Sequence, residues 1–323
     1  MVATLNRAQQ WPRLDYESWK DTCASVHLWT QMAGKIRMAR TPWTNHSWHV
    51  ALYVSPRGLC TSPIAAGART FQIDFDFVEH LLSITTSEGQ ARKMPLQPRS
   101  VADFYQQLCG HLAALGLETK IHTLPNEVVD AIAFEQDQQH RAYDAPAAHT
   151  WWRALAQADR VFKQFRAGFI GKCSPVHFFW GSFDLAVTRF SGRPAPMHPG
   201  GVPNCPDWVT REAYSHEVSS CGFWPGGAQL PYPLFYCYAY PEVPGFAGMP
   251  VGPPGARYDG AFHEFVLPYD VVQRSNWPDA TLLEFLHGSY AAAANLAGWD
   301  RHALERKAPA QAAQFQCHGT APV

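Results

Sequence analysis

The chain has 323 residues, of which 46% are hydrophobic and 16% are charged, so it can form one large domain or two ordinary ones with much of the chain buried. Its 26 Lys and Arg residues balance 27 Asp and Glu residues, and a net charge of −1 provides no broad field to attract nucleic acid or an anionic membrane. Because the N-terminus has no apolar signal segment and no apolar run approaches the roughly 20 residues that span a bilayer, we expect a cytoplasmic protein with free thiols.

The first half of the chain, residues 1–125, predicts a helix, several strands and a second helix. The first helix, capped by Asp15 or Ser18, runs to about Met38, because apolar residues recur there at spacings of three and four. Ser100, followed three residues later by an acidic residue, predicts the start of a helix that Gly116 ends. Strands between these helices are predicted at residues 47–55, 70–78 and 81–86.

The second half, residues 126–307, follows a similar order. A polar crossing over residues 127–144 precedes a predicted helix at 147–169. Residues 192–207 are rich in Pro and Gly and predict a loop, and residues 308–323 predict a disordered tail. The remaining predicted elements are strands at 176–190, 212–219, 234–240 and 262–267 and a helix at 279–296.

This order of elements predicts an α+β fold with mixed or antiparallel sheets flanked by helices. The two halves also repeat each other, since Gly34-Lys35 and Gly171-Lys172 each close a long helix before a segment that contains His and Trp. This similarity indicates either an internal duplication of an α-β-β-β-α unit or a coincidence. In both cases we expect the halves to pack as one globular unit. A true duplication would also place a ligand pocket where the halves meet.

Two runs concentrate polar side chains among aromatic residues, residues 165–193 and residues 211–227. Buried polar groups need partners, so each run indicates either a structural hydrogen-bond network or a ligand site. For the site, the predicted catalytic residues are His177, Asp184, Tyr214, His216 and Glu217.

Histidines suggest a metal as one alternative for this site. His46 and His49 are three residues apart, and with His177 and His216 they would supply imidazoles to a divalent ion such as Zn²⁺ or Fe²⁺. One difficulty is that His216 and Glu217 are adjacent, so on a regular strand only one of them faces the pocket. A β-bulge would be needed for both.

Anion binding is the second alternative. His27, Gln31 and Lys35 are spaced i, i+4, i+8 and line one helix face, which is either a solvated surface or a ligand wall. Arginines bind carboxylates and phosphates bidentately, and tryptophans stack on planar ligands. The residues predicted to bind substrate are therefore His27, Gln31, Lys35, Arg189, Arg193, Trp180 and Trp224, with Arg37 as a further cation.

Familiar catalytic motifs are missing from the sequence. It contains no GxGxxG before a helix, no GxxxxGK[ST], no HExxH and no GxSxG. Cys173 precedes His177 by four residues and would form a nucleophile–base pair, but an ordinary buried cysteine is the commoner case.

Several long runs resemble a bacterial family of unknown function. They are Asn45-His46 with Trp48-His49, Thr188-Arg-Phe-Ser-Gly-Arg193, Gly222-Phe-Trp-Pro-Gly-Gly227 and above all Ser174-Pro-Val-His-Phe-Phe-Trp-Gly-Ser-Phe-Asp-Leu185. The resemblance covers the chain from Trp11 to about Arg301. It implies a stand-alone bacterial protein and no particular activity.

Together these features predict a small-molecule enzyme with a histidine-lined polar pocket that acts on an aromatic substrate or on one bearing a carboxylate or phosphate, with a divalent metal as one alternative for its site. The alternatives are an acid–base enzyme without metal and a non-catalytic protein that binds a small ligand. In each case we expect His177 to face a cavity, neutral and within reach of a second polar side chain from residues 45–49 or 214–217.

Overall fold

Two antiparallel sheets and the helices around them make up residues 11–306, the part of the chain that a computed structural model describes. The fold is α+β, as predicted. The predicted tail at 308–323 lies outside the described residues. In the first half the elements are α1 (Tyr16–Arg40), β1 (Tyr53–Ser55), β2 (Gly58–Cys60), β3 (Ile64–Ala66), β4 (Arg69–Asp76), β5 (Leu81–Thr86), β6 (Ala91–Pro95) and α2 (Val101–Ala114).

The second half has the same general order, a long helix, a sheet and a closing helix. Its sheet has the strand order β7-β8-β9-β10-β12-β11, whereas β1-β2-β4-β5-β6 form the first sheet and β3 also pairs with β4. The internal duplication stays a prediction. The elements are α3 (Ala145–Ala167), β7 (His177–Phe179), β8 (Asp184–Pro194), α4 (Asp207–Ala213), β9 (His216–Trp224), β10 (Leu234–Tyr240), β11 (Arg257–Asp259), β12 (Glu264–Pro268), α5 (Tyr269–Arg274), α6 (Pro278–Leu296) and α7 (Arg301–Leu304).

Local sequence signals account for several of these elements. In β4, Phe71, Ile73 and Phe75 are buried and alternate with half-buried polar residues, because successive side chains of a strand point to opposite faces. The side chain of Ser100 accepts a hydrogen bond from the backbone N–H of Asp103, so α2 begins with the predicted cap. These predictions are confirmed.

Two predicted strands are interrupted. His46 and Ser47 have positive φ angles of 59° and 57°, and a 3₁₀ turn over Asn45–Ser47 followed by further turn residues leaves only Tyr53–Ser55 of the strand predicted at 47–55. The strand predicted at 176–190 breaks at residues 180–183, where Phe183 has a φ of 60°, into β7 and β8. Both breaks lie in left-handed backbone, which the alternation of apolar residues does not reveal.

The two halves are joined by backbone pairing. The N–H of Leu52 donates to the carbonyl of Phe178 at 2.8 Å, and the N–H of Phe178 donates to the carbonyl of Leu52 at 2.8 Å. Within residues 11–306, buried hydrophobic residues of both halves belong to one core cluster. The division into two halves at residues 125 and 126 stays a prediction.

The second sheet has two different faces. Leu185, Phe223, Phe235 and Leu267 are register partners on adjacent strands, and this face packs against α3 and α6. The opposite face, one residue along each strand, carries the side chains that line a cavity. We call them the core face and the cavity face.

Candidate functional site

A cavity of about 680 Å³ lies over the cavity face of the second sheet, a volume typical of sites for small molecules. Loops at 43–50, 126–127 and 179–182 and the segment 202–214 cover it. Its wall is mainly aromatic and apolar, with few polar groups. Polar and aromatic lining residues include Trp43, His46, Trp48, Glu127, Trp180, Ser182, Asp184, Thr188, Trp208, Tyr214, Ser220, Trp224, Tyr236, Tyr238 and Glu264.

Asp184, at the first position of β8, is the most buried carboxyl group of this cavity, and its side chain accepts hydrogen bonds from the hydroxyls of Ser182 and Tyr236. Burial raises the pKa of Asp184, and these two donors oppose the rise. Gly222 lies on β9, between β8 with Asp184 and β10 with Tyr236, and a Cβ at Gly222 would overlap the ring of Tyr236. The missing side chain at Gly222 therefore lets Tyr236 reach across β9 to Asp184.

Glu127 approaches the same cavity from the loop after α2. Its backbone N–H donates to the carbonyl of Pro203 at 2.8 Å, and its carboxylate lies against Gly181, where a Cβ would overlap Oε1. Glu127 is an exposed residue, and its side chain lines the cavity. Burial, reinforced by the charge of Asp184, raises the pKa of Glu127 to about 7.

Glu264, at the start of β12, is the third cavity carboxyl. It is half-buried on the cavity face next to Val266. Burial raises the pKa of Glu264 to about 8, and the charges of Asp184 and Asp259 add to the effect. Two glutamates of this cavity therefore titrate in the neutral range, where a carboxyl group can either donate or accept a proton.

Besides the three carboxyl groups, several hydroxyl groups lie on the cavity face of the sheet. The hydroxyls of Tyr214 and Tyr238 are 2.8 Å apart, and those of Thr188 and Ser220 are 2.9 Å apart. Burial raises the pKa of Tyr214 to about 12, so it stays protonated and can donate. Tyr214 was predicted as a catalytic residue, and it lines the same cavity as the three carboxyl groups.

Polar side chains on one face of α1 form hydrogen bonds to two loops next to the cavity. The ring Nε2 of His27 is 2.8 Å from the carbonyl of Gly181, Gln31 exchanges hydrogen bonds with the backbone of Asn126, and Lys35 Nζ donates to the carbonyl of Leu124 at 2.8 Å. Burial lowers the pKa of Lys35 to about 8.

His27, Gln31 and Lys35, which were predicted to contact substrate, do not line the cavity, and backbone groups of the loops at 124–126 and 181 occupy their polar atoms. These hydrogen bonds tie α1 to both loops.

The predicted arginine sites are also not formed. The guanidinium of Arg189 is buried on the core face, 3.5 Å from the ring centroid of Phe165, and Arg37 Nε donates to the carbonyl of His49 at 2.6 Å. Arg193 pairs with Glu217 at 2.7 Å and donates to the carbonyl of Ala297 at the end of α6. None of these arginines lines the cavity, and Glu217, predicted as catalytic, serves this ion pair.

The four predicted metal ligands do not converge. His46 lines the cavity, but its Nδ1 is 3.0 Å from the carbonyl of Ala213 and its Nε2 is 2.6 Å from Lys172 Nζ. His49 accepts a hydrogen bond from the N–H of Thr44, and His216 lies 3.0 Å from the hydroxyl of Ser215.

Within residues 11–306, no group of three or more His, Cys, Asp or Glu side chains is arranged to hold a metal ion. The four histidines therefore do not form the predicted Zn²⁺ or Fe²⁺ site, because His46, His49 and His216 have backbone or side-chain partners of their own and His177 is enclosed without one.

His177 does not open onto the cavity. Its register partner is Ala186, which places it in a row on the cavity face, but it is 0% exposed beside the rings of Phe179, Trp48 and Tyr53. Neither ring nitrogen has a hydrogen-bond partner among the described residues.

Burial, with the charges of Arg37 and Arg166, lowers the pKa of His177 to about 3. The ring is neutral, as expected, but the prediction of a cavity-facing base is wrong, because neighbouring aromatic rings enclose it. Its supposed partner Cys173 is not part of the cavity wall either, and burial raises the pKa of that thiol to about 11.

The structure thus brings together five of the predicted residues, Asp184, Tyr214, Trp180, Trp224 and His46, in the wall of one cavity. Sequence reasoning missed Glu127, Glu264, Tyr236 and Tyr238. The tyrosines alternate with buried residues in β10, and a lone glutamate is the first residue of the apolar strand β12. These local patterns could have indicated Tyr236, Tyr238 and Glu264 as site residues. Glu127 had none, because only tertiary contacts bring its loop to the sheet.

In the part of the chain that the structure describes, no helix has the length and apolar character needed to cross a membrane. A family model described as "Family of unknown function (DUF5996)" matches residues 11–306. No curated protein and no solved structure matches the chain.

Proposed function

The chain belongs to the family of unknown function DUF5996, and from the cavity we propose that it is an enzyme that transfers protons to and from a bound small molecule through its own carboxyl groups. The observation that carries this proposal is the pair Glu127 and Glu264. Both carboxyls face the same cavity, and neither makes a hydrogen bond to another described residue. Carboxyl groups held in this way are typical of catalytic acids and bases.

The two glutamates suit complementary roles at neutral pH. Glu264, with a pKa of about 8, is mainly protonated and can donate a proton. Glu127, with a pKa of about 7, is partly ionised and can accept one. Such pairs of carboxyl groups catalyse reactions in which one group of the substrate gains a proton and another loses one.

Asp184 sets the electrostatics of this pair. Its negative charge raises the pKa of both glutamates, and Tyr236 and Ser182 hold its side chain in place. We therefore expect Asp184→Asn to lower both glutamate pKa values toward the ordinary value, because a neutral amide removes the like charge. Titration of ¹³C-labelled glutamate carboxyls by NMR measures this shift, and unchanged pKa values would refute the role given to Asp184.

Activity is tested without knowing the substrate. Wild-type protein and the Glu264→Gln and Glu127→Gln variants are incubated in D₂O with a small-molecule extract, and mass spectrometry follows consumption, formation and deuterium uptake. Glu118→Gln is the matched control, because Glu118 is exposed and outside the cavity. We expect turnover by wild type and control, slowed by about 10²–10⁴-fold in the cavity variants, the usual contribution of general acid–base catalysis.

Two results would contradict the proposal. Equal turnover in wild type and both cavity variants would show that the chemistry lies elsewhere. If no compound is consumed or deuterated while one is retained on the protein, the chain is a non-catalytic small-ligand binding protein.

A further inference from the structure

We infer that the molecule bound in this cavity carries a positively charged nitrogen attached to an apolar, ring-bearing body. This inference rests on the proposed function only in taking the same cavity as the site.

The charge of the wall is the first argument. Glu127, Asp184 and Glu264 line the cavity, and among the described residues no Lys or Arg does so. Lys35 donates to the carbonyl of Leu124 and to Asn126, so its charge is used outside the cavity. An anionic ligand would meet like charges there and find no cation to pair with.

The two unpaired carboxylates are the second argument. Glu264 is half-buried and Glu127 is exposed to the cavity, and a carboxylate that loses water to a bound ligand needs a cation or hydrogen-bond donors in its place. The Asp184 carboxylate accepts hydrogen bonds from two hydroxyls. The carboxylates of Glu127 and Glu264 have no hydrogen-bonding partner within residues 11–306. A ligand ammonium group has N–H donors that can supply what these two carboxylates lack.

The aromatic wall is the third, independent argument. Five tryptophans line the cavity, and the two nearest the exterior, Trp43 and Trp208, have ring centroids 4.7 Å apart and are 44% and 54% exposed. Tryptophan faces attract cations and stack on planar rings. The other three are Trp48, Trp180 and Trp224.

Binding of such a cation must release protons. Near pH 7 Glu127 and Glu264 are partly or mainly protonated, and a bound cation favours their ionised forms. Asp184 raises the pKa of both glutamates and Asp259 that of Glu264, and the glutamates in turn raise the pKa of Cys205, Cys237, Tyr214, Tyr236, Tyr238 and Tyr258. The affinity for a cation therefore rises with pH, by about tenfold between pH 6 and pH 8.5 for one carboxyl with a pKa near 7.

Three probes of nearly equal shape test the inference by calorimetry. Phenethylamine is the cation, 2-phenylethanol the neutral analogue and 3-phenylpropionate the anion, and titrations in two buffers of different ionisation enthalpy count the protons released. We expect phenethylamine to bind at least about tenfold more tightly than either analogue at pH 8, with proton release. Glu127→Gln and Glu264→Gln should each weaken amine binding and reduce the proton release, whereas Glu118→Gln should change neither.

The outcomes separate this inference from the proposed function. Binding of 2-phenylethanol or 3-phenylpropionate as tight as that of the amine, or no binding of any probe, overturns the cationic ligand class. Amine binding that Glu127→Gln and Glu264→Gln leave unchanged overturns it too. None of these results affects the turnover experiment in D₂O, which alone decides the acid–base chemistry. Circular dichroism and melting temperature confirm that each variant is folded.

Discussion

The core face and the cavity face of the second sheet alternate along the same strands but differ in the side chains they carry and in what those side chains contact. Leu185, Phe223 and Phe235 on the core face are 0% exposed and pack against helices. Asp184, Tyr236 and Tyr238 on the cavity face place polar atoms around a space that loops enclose. Since side chains alternate with a period of two, one strand can supply both a core and a site. The stability of the sheet thus depends mainly on one face and its chemistry on the other.

The largest change in stability is expected when an aromatic ring is removed from the core face. Phe223→Ala should lower the free energy of unfolding by about 3–5 kcal/mol, because it deletes a fully buried ring and leaves a void. On the neighbouring strand, Tyr238→Phe removes only a cavity-face hydroxyl and should cost no more than about 1.5 kcal/mol. Urea unfolding measures both, and equal losses would mean that the two faces do not differ as described.

His177 tests whether register alone assigns a residue to a face. Its folded-state pKa of about 3 lies below the ordinary 6.5, so the unfolded chain takes up a proton first and stability falls as the pH drops below 6.5. Between pH 6.5 and pH 4.5 this one buried group should remove about 2–3 kcal/mol.

His177→Leu should make the pH dependence of urea unfolding shallower by that amount. His27, whose pKa burial lowers to about 4, keeps the remaining slope in both proteins. Identical slopes in wild type and variant would show that His177 is not enclosed.

A single methyl group on the cavity face should have an intermediate effect. Gly222→Ala places a Cβ where the Tyr236 ring lies, so the ring must move away from Asp184, at a cost of about 1–3 kcal/mol for overpacking. The control is Gly110→Ala in α2, where a Cβ meets nothing within 4 Å and the helix should gain about 0.5–1 kcal/mol. Thermal unfolding distinguishes these opposite signs, and stabilisation by both substitutions would contradict the packing of Tyr236 over Gly222.

The smallest stability change is expected for Tyr236→Phe. It removes the hydroxyl that donates to Asp184 and should cost at most about 1.5 kcal/mol, since Ser182 still donates. The same change should raise the pKa of Asp184 further, because a hydrogen bond to the charged form is lost. NMR titration of labelled aspartate carboxyls measures the pKa, and a lower value would show that this bond does not stabilise the carboxylate.

The sequence by itself determined the elements whose signals are local. The alternation of Phe71, Ile73 and Phe75 predicted β4, and Ser100 with Asp103 predicted the start of α2, because strand pleat and helix capping depend on residues a few positions apart. The α+β class followed from the order of such elements. Asp184 was recognised as a polar residue in an aromatic run, which is also a local feature.

Only the tertiary structure decided which polar residues share a site. The left-handed turns at His46–Ser47 and Phe183 changed the phase of two predicted strands and left His177 enclosed by aromatic rings. Glu127 and Glu264 are 137 positions apart along the chain, and nothing in the local sequence of either predicts that both line one cavity. The physical reason is that a carboxyl group's pKa and partners depend on what packing brings near it in space, and such contacts form between residues far apart in sequence.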